Sequence, residues 1–395
     1  MNATMSRRAP MPARRRRTRW LAIARVAVAM MLHDRMKLAG GLVGVVFAAL
    51  LATEQAGILF GLIGKNTMVV DRAGADIWIL PQGSEQPQPG KALPEAVLNR
   101  ARTTADVAIA SPLIWAGGTL ALPNGGTEPV TLLGVDPATR LGGPWNVVAG
   151  DPASLVQPDA MIFEDSQRDK LGALNLGSLR ELNGKRVRVV GFTWGLLPFG
   201  PSYAFTSYDN ARELISQRDH SQSMVLVTVK PGVAPSIVAA RLRAALPEQA
   251  VFTQAELRRS VVLSVLTNTP IGITFGLSAL FGLVVGFVIV AMSMFSAVVD
   301  NLREFGTLKA IGSTTGDLAR LLLVQALFYG LSGSAIGLAA VGVLASALRS
   351  PSLAVTLPIP LVAAVPMVMA VICVAASFLA LWRLHKLEPG MVFRG

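Results

Sequence analysis

Four apolar runs, each long enough to cross a bilayer, are spaced so unevenly along the 395 residues that they leave room for one large polar domain. A spanning helix needs about 20 predominantly apolar residues across a hydrocarbon core ~30 Å thick. Residues 38–63, 271–299, 318–346 and 359–382 meet that requirement. Backbone polar groups inside lipid must be satisfied within their own segment, so each run is expected to be a helix. The other connections, 300–317 and 347–357, are short loops, whereas residues 64–270 are enough for a folded domain.

Composition agrees with this division. The chain is 52% hydrophobic and only 15% charged, which excludes an ordinary soluble protein of this length. The net charge of +12 is concentrated at one end: residues 1–37 hold ten Arg or Lys (Arg7, Arg8, Arg14, Arg15, Arg16, Arg17, Arg19, Arg25, Arg35, Lys37) against Asp34. Such a segment suits a cytoplasmic tail beside anionic lipid, and no recognition motif for nucleic acid accompanies the arginine run. The first apolar run follows this tail as a signal peptide would. It is too long for one and no small-residue cleavage site clearly follows it, so it is expected to be retained as an anchor. Short basic flanks orient the rest: Arg303 and Lys309 in the 300–317 loop, and Arg383, Lys386 and Arg394 in the tail. Both termini and the 300–317 loop are therefore expected in the cytoplasm, with 64–270 outside. Trp20 to Met36, apolar but interrupted by Arg25, His33 and Arg35, suits a helix lying in the headgroup region, or else an extension of the first span.

The outer segment has the pattern of an α/β domain. Strands are expected at 75–80, 107–122, 130–135, 186–192 and 224–229, with a turn at Asn124-Gly125-Gly126, and helices at 94–102, near 164–171, at 208–217 and at 235–246. Trp115, Trp145, Trp194 and the Gly/Pro-rich stretch 194–201 either belong to the core or line a ligand surface. The serines lack a nearby His/Asp partner and the carboxylates are scattered. Cys373 is the single cysteine, and His33, His220 and His385 lie far apart, so neither a disulfide within the chain nor a Cys/His metal pattern is available. The Gly-Lys pairs at 64, 90 and 184 lack the upstream glycine and following Ser/Thr of a phosphate-cradling loop. No cofactor is expected on this chain, and any ATP it depends on is hydrolysed by another polypeptide.

Residues 301–312 (NLREFGTLKAIG) form a short polar helix pattern between two spans. Phe305, Leu308 and Ile311 recur at i, i+3 and i+6, a stripe able to press into a partner's groove. Arg303, Glu304 and Lys309 flank it, Gly306 allows close approach, and Gly312 can end the helix. This segment, together with 44–55 (GVVFAALLATEQ) running to 75–78 (ADIW) and the terminal 386–393 (KLEPGMVF), resembles the MacB/FtsX-like family of ABC transporter permeases, and within it the DevC-like branch. Glu388-Pro389-Gly390 departs from that branch, whose tail usually reads closer to Asp-Pro-Ala.

The resemblance implies an α-helical membrane protein with four transmembrane helices and a periplasmic α/β domain inserted between helices 1 and 2. It implies the following layout: 1–37 cytoplasmic tail and interfacial helix, 38–63 first span, 64–270 periplasmic domain with stalk, 271–299 second span, 300–317 coupling helix, 318–346 third span, 359–382 fourth span, 383–395 cytoplasmic tail. It further implies a non-catalytic homodimeric permease of the bacterial inner membrane. Its partners would be a separate ABC ATPase, a periplasmic membrane-fusion adaptor and an outer-membrane channel, and it would transmit ATP-driven motion rather than conduct substrate. The alternative is an FtsX-like signalling subunit that activates a periplasmic enzyme. A membrane enzyme would require a clustered acid/base or metal set that the sequence does not show.

Two intramembrane features stand apart. Glu54 and Gln55 lie two-thirds along the first run, where a carboxylate is costly against lipid; they face either the outer headgroups or a buried dimer interface. The spacings Gly40/Gly44, Gly57/Gly61, Gly272/Gly276 and Gly282/Gly286 permit close helix contacts, consistent with a dimer.

Overall fold

The computed structural model describes residues 13–33, 35–89, 92–198, 200–216, 222–300, 307, 311, 313–347 and 355–385. In chain order these form helices α1 (Ala13–His33) and α2 (Arg35–Arg72), strand β1 (Ile77–Leu80), helix α3 (Glu95–Thr103), and strands β2 (Val107–Ala121) and β3 (Thr127–Val135). Strands β4 (Val147–Gly150), β5 (Ala160–Glu164), β6 (Leu179–Leu182), β7 (Lys185–Thr193) and β8 (Ser202–Ser207) follow, then helix α4 (Tyr208–Leu214) and strand β9 (Met224–Val229). Helix α5 (Pro235–Ala245), strand β10 (Ala250–Thr253) and helices α6 (Gln254–Asn268), α7 (Pro270–Asp300), α8 (Thr315–Ala347) and α9 (Ile359–His385) complete the order. The chain divides into a helical unit, within residues 1–60, 274–349 and 355–395, and a second unit comprising 61–273 and 350–354.

Helices α2, α7, α8 and α9 are long and apolar enough to cross a membrane. Within the helical unit their core is built from small and branched residues: Val45, Ala48 and Ala49 of α2, Val290 of α7, Ala326 of α8, and Met369, Cys373 and Ala376 of α9. Lipid tails are as apolar as leucine, so such helices associate by close packing rather than by escape from water. Glycine makes that approach possible. A side-chain carbon at Gly44 would overlap Ile289, and one at Gly286 would overlap Ala48, joining α2 to α7. Gly333 and Gly337 of α8 meet Val45 and Ala49 in the same way, and Gly330 meets Ala370 of α9. Four of the glycines whose spacing is consistent with a dimer, Gly44, Gly57, Gly272 and Gly286, have close contacts within a single chain. Helix α1 buries Ala27 and Met31 in this core, and Gln325 of α8 donates to the Ala27 carbonyl at 3.5 Å.

The second unit is one ten-stranded sheet in the order β10-β1-β9-β2-β3-β8-β5-β7-β4, with β6 pairing both β2 and β7. Because β6 bridges β7 back to β2, strands β2, β3, β8, β5, β7 and β6 close a ring. The 15-residue β2 belongs to both halves: Val107 to Leu113 pair with β9, and Leu113 to Ala121 pair with β3. One hydrophobic core fills the ring with Ile114, Leu132, Phe163, Val189 and Phe192, sealed by Ala211 and Leu214 of α4. The other packs α3 and α5 against Ile77, Ile79, Val225 and Val227.

The β2–β3 hairpin turns where the sequence indicates: Gly125 takes a positive φ of 83° and the Asn124 side chain accepts from Gly126 N at 3.0 Å. The helix expected near 164–171 is not there. Ala160–Glu164 is a buried strand paired on both sides, followed by a 3-10 turn, Asp165–Gln167. A continuous buried run carries no alternation by which the sequence could betray a strand.

Candidate functional site

Of the expected coupling set, Ile311 is among the described residues; Arg303, Glu304, Phe305, Gly306, Leu308, Lys309 and Gly312 lie outside them. Ile311 N donates to the Thr307 carbonyl at 3.0 Å, and the Ile311 side chain is 80% exposed. A large apolar side chain beside a polar helix start is available to a partner. Three residues on, a network of side-chain hydrogen bonds begins. Thr314 caps α8, its hydroxyl accepting from Asp317 N at 3.3 Å, while the Asp317 carboxylate takes the Thr314 hydroxyl at 2.7 Å and Thr314 N at 3.2 Å. Arg320 pairs with the same carboxylate at 3.3 Å. Thr314 and Asp317 form a Thr-x-x-Asp pattern before an apolar run, a capping signal carried by the sequence itself. Leu318, Leu321 and Leu322, buried with Ala27 and Met31 of α1, tie this end of α8 to the helix that follows the basic tail.

Glu54 and Gln55 are half-buried on α2, and Glu54 has no hydrogen bond or ion pair among the described residues. Thr53 turns inward and satisfies its hydroxyl on the Ala49 carbonyl at 2.6 Å. One turn further, Gly57 accepts Thr356 N at 3.0 Å, and a side-chain carbon there would come within 2.9 Å of Val355. The stretch before α9 therefore lies against α2 directly beyond Glu54.

In the second unit the tryptophans divide. Trp115, Tyr203, Trp145 and Phe205 form an edge-to-face series with ring centroids 5.4 to 6.4 Å apart. Trp194, by contrast, is 46% exposed. Its backbone is pinned by Asn146 and its loop by Glu164. This fully buried carboxylate accepts from Gly195 N at 2.6 Å, Leu196 N at 3.1 Å, the Thr193 hydroxyl at 2.9 Å and the Ser166 hydroxyl at 2.6 Å. Four donors satisfy a buried charge that would otherwise be costly. A groove of about 1130 Å³ runs along the Asp136–Arg140, Asp151–Asp159 and Asp209–Glu213 segments, where Asp159 is already paired with Arg186 and Arg188. Among the described residues no three His, Cys, Asp or Glu side chains gather as a metal set.

The end of α2 is held by a polar clamp. Gln254 donates to the Val70 carbonyl at 3.1 Å, Arg258 pairs with Asp71 at 3.1 Å, and Thr67 donates to Asp71 at 2.8 Å. Asp76, four residues beyond the helix, accepts from Val229 N at 2.8 Å, and its carbonyl takes Gln254 N at 2.9 Å. Strands β1 and β9, the start of α6 and the tip of α2 are thereby one connected piece.

The family model of the MacB-like periplasmic core domain matches residues 42–245, and that of the FtsX-like permease C-terminal region matches 254–389. An uncharacterized ABC transporter permease of Mycobacterium tuberculosis is 25% identical over 358 residues, which cover 89% of this chain and 93% of the relative. One of Methanocaldococcus jannaschii is 25% identical over 173 residues, so the chain spans 42% of that relative's length. Among solved structures, the periplasmic region of MacB from Actinobacillus actinomycetemcomitans is similar at a TM-score of 0.38 and 11% identity, over 49% of this chain and 95% of that one. The extracellular domain of the noncanonic ABC-type transporter YknZ from Gram-positive bacteria gives 0.34 and 14%, over 45% and 99%.

Proposed function

Because this chain belongs to the MacB/FtsX-like family of ABC transporter permeases and is a multi-pass membrane protein with an ATPase partner, we propose that it is the mechanical subunit of an export complex. A separate ATPase grips the 300–317 segment through Phe305, Leu308 and Ile311. Its nucleotide-driven movement passes up the spans to the outer domain, which acts with a membrane-fusion adaptor and an outer-membrane channel on cargo already outside the inner membrane. Both termini lie in the cytoplasm, the chain works as a homodimer, and it performs no catalysis itself.

The observation that carries this reading is α2. It is helical without interruption from Arg35 to Arg72, beyond the end of the apolar run at Ile63, and it ends in the Asp71/Arg258/Gln254 clamp. A helix of 38 residues is roughly 57 Å long at ~1.5 Å per residue. A rod of that length, joined at its outer end to β1, β9 and α6, carries displacement rather than dissipating it.

Replacing Phe305 with Asp would place a charge in the ATPase contact. We expect at least a tenfold loss of association, about 1.4 kcal/mol or more, with an unchanged thermal melt. Retained complex and coupled ATPase activity in a folded variant would overturn the coupling role. Orientation is checked separately in spheroplasts: a cysteine at Asn124, which is exposed, should react with an impermeant thiol reagent, and one at Thr307 should not.

A further inference from the structure

Beside the outer end of α2 lies a cavity of about 220 Å³ whose walls include Lys65 of α2, Pro87 and Pro89 after β1, Trp115 of β2, and Pro201 and Tyr203 at β8. Trp115 and Tyr203 meet edge-to-face, with centroids 5.9 Å apart and planes at 88°. The walls are tied in place: Thr131 donates to the Pro201 carbonyl at 3.2 Å, and Ser260 donates to the Glu85 carbonyl at 2.7 Å, holding the proline segment against α6.

The lining is mixed: Asn66, Gln86 and Thr131 join Lys65 and Tyr203 as its polar side chains, beside the prolines and Trp115. Tyr203 is 2% exposed, and its hydroxyl has no hydrogen-bond partner among the described residues. Standing at the cavity wall, the hydroxyl can donate to a ligand atom placed there. Burial also pushes the Tyr203 phenol above its ordinary range, so the hydroxyl keeps its proton and acts as a donor. Lys65 is 7% exposed and carries the only charge among the described lining residues. An ammonium has three donors, so engagement by a neighbour does not exhaust it. Lys65 is also two residues past the apolar run ending at Ile63.

We propose that this cavity binds an anionic amphiphile carrying a ring. Its apolar body lies against Trp115 and the prolines, and its acidic oxygens accept from Tyr203 Oη and Lys65 Nζ. Calling the occupant cargo rests on the export reading above; the site itself does not.

The test uses the full chain in phosphatidylcholine nanodiscs without ATPase or nucleotide, so failure of the coupling proposal leaves it untouched. The probes are 8-anilino-1-naphthalenesulfonate and its uncharged counterpart N-phenyl-1-naphthylamine, read by emission sensitised through tryptophan. Lys65→Gln should weaken the anion by at least about tenfold and Tyr203→Phe by about threefold, while Lys65→Arg stays within about twofold of the parent. Neither Lys65→Gln nor Tyr203→Phe should move the uncharged probe by more than about twofold. Tyr203→Phe removes a hydroxyl that holds nothing in the fold, so its melt should match the parent and it decides the matter even where Lys65→Gln folds poorly. Unchanged affinity for the anion in Tyr203→Phe, or equal loss for both probes, would overturn the site. Adding phosphatidylglycerol separates the sources while upholding the site: competition identifies a lipid headgroup, and its absence identifies a free solute.

Discussion

The chain passes between its helical and sheet-containing parts by two helical routes, and they are built oppositely. Helix α2 is continuous from Arg35 to Arg72. The route through α6 and α7 is broken at Thr269, whose backbone is extended at φ −109° and ψ 142°. Three local devices make that break stable. Thr269 donates its hydroxyl to the Val265 carbonyl at 2.6 Å and accepts from Gly272 N at 3.3 Å, so it serves both helix ends. Pro270 opens α7, where a missing N–H costs nothing. Gly272 admits the Val265 carbonyl and the Leu266 backbone at a distance no side-chain carbon tolerates. One route is thus a single continuous helix and the other two helices meeting at a capped joint.

The comparison breaks most visibly if α2 is interrupted. Gly64 lies mid-helix, exposed, with open space around it. Gly64→Pro should cost the helix about 3 kcal/mol or more and abolish partner-coupled ATPase stimulation, whereas Gly64→Ala should add up to about 1 kcal/mol of stability with coupling intact. Full coupling in Gly64→Pro would show that α2 is not the transmitting member.

At the joint, Gly272→Ala sets a side-chain carbon against backbone that cannot rotate away. A loss of about 1–3 kcal/mol is expected, read as a lowered melting temperature; an unchanged melt would mean the joint is not tightly built.

The smallest effects belong to the start of α6. Thr253 caps it, accepting from Glu256 N at 3.3 Å, and Glu256 returns a bond from Thr253 N at 2.7 Å. Thr253→Ala should cost about 1 kcal/mol. Burial disfavours the Glu256 carboxylate, yet hydrogen bonds from Thr253 and from Arg243 outweigh it and hold the group below its ordinary value of 4.5. Since the folded-state value is the lower one, its stabilisation is present above 4.5 and is lost as pH falls through the folded value. Glu256→Gln should therefore flatten a small part of the acid limb of the melting-temperature profile, and an unaltered limb would remove Glu256 from that account.

Much of this architecture was legible in the residues. Apolar runs of spanning length mark four helices because lipid leaves a buried backbone one economical solution, and basic flanks suggest their direction. Asn124-Gly125-Gly126 marks its hairpin because few residues accept the required backbone angles. These signals are local, carried by residues adjacent in the chain. The site and its supports were less legible. Gly44 and Gly286 have the spacing of an intermolecular contact, and only packing assigns them to Ile289 and Ala48 of the same chain. Glu164 reads as the start of a helix until the loop amides 31 and 32 residues away surround it. Trp115 and Tyr203 are aromatics on two strands whose cavity exists because Lys65 and the proline segment close over them. The sequence by itself determined which segments enter the membrane and which fold outside it, since hydropathy and turn chemistry act over a few residues. Tertiary structure decided which glycine meets which helix, which acid is buried and where a cavity opens, because those depend on contacts between residues far apart in the chain, whose partners no local pattern names.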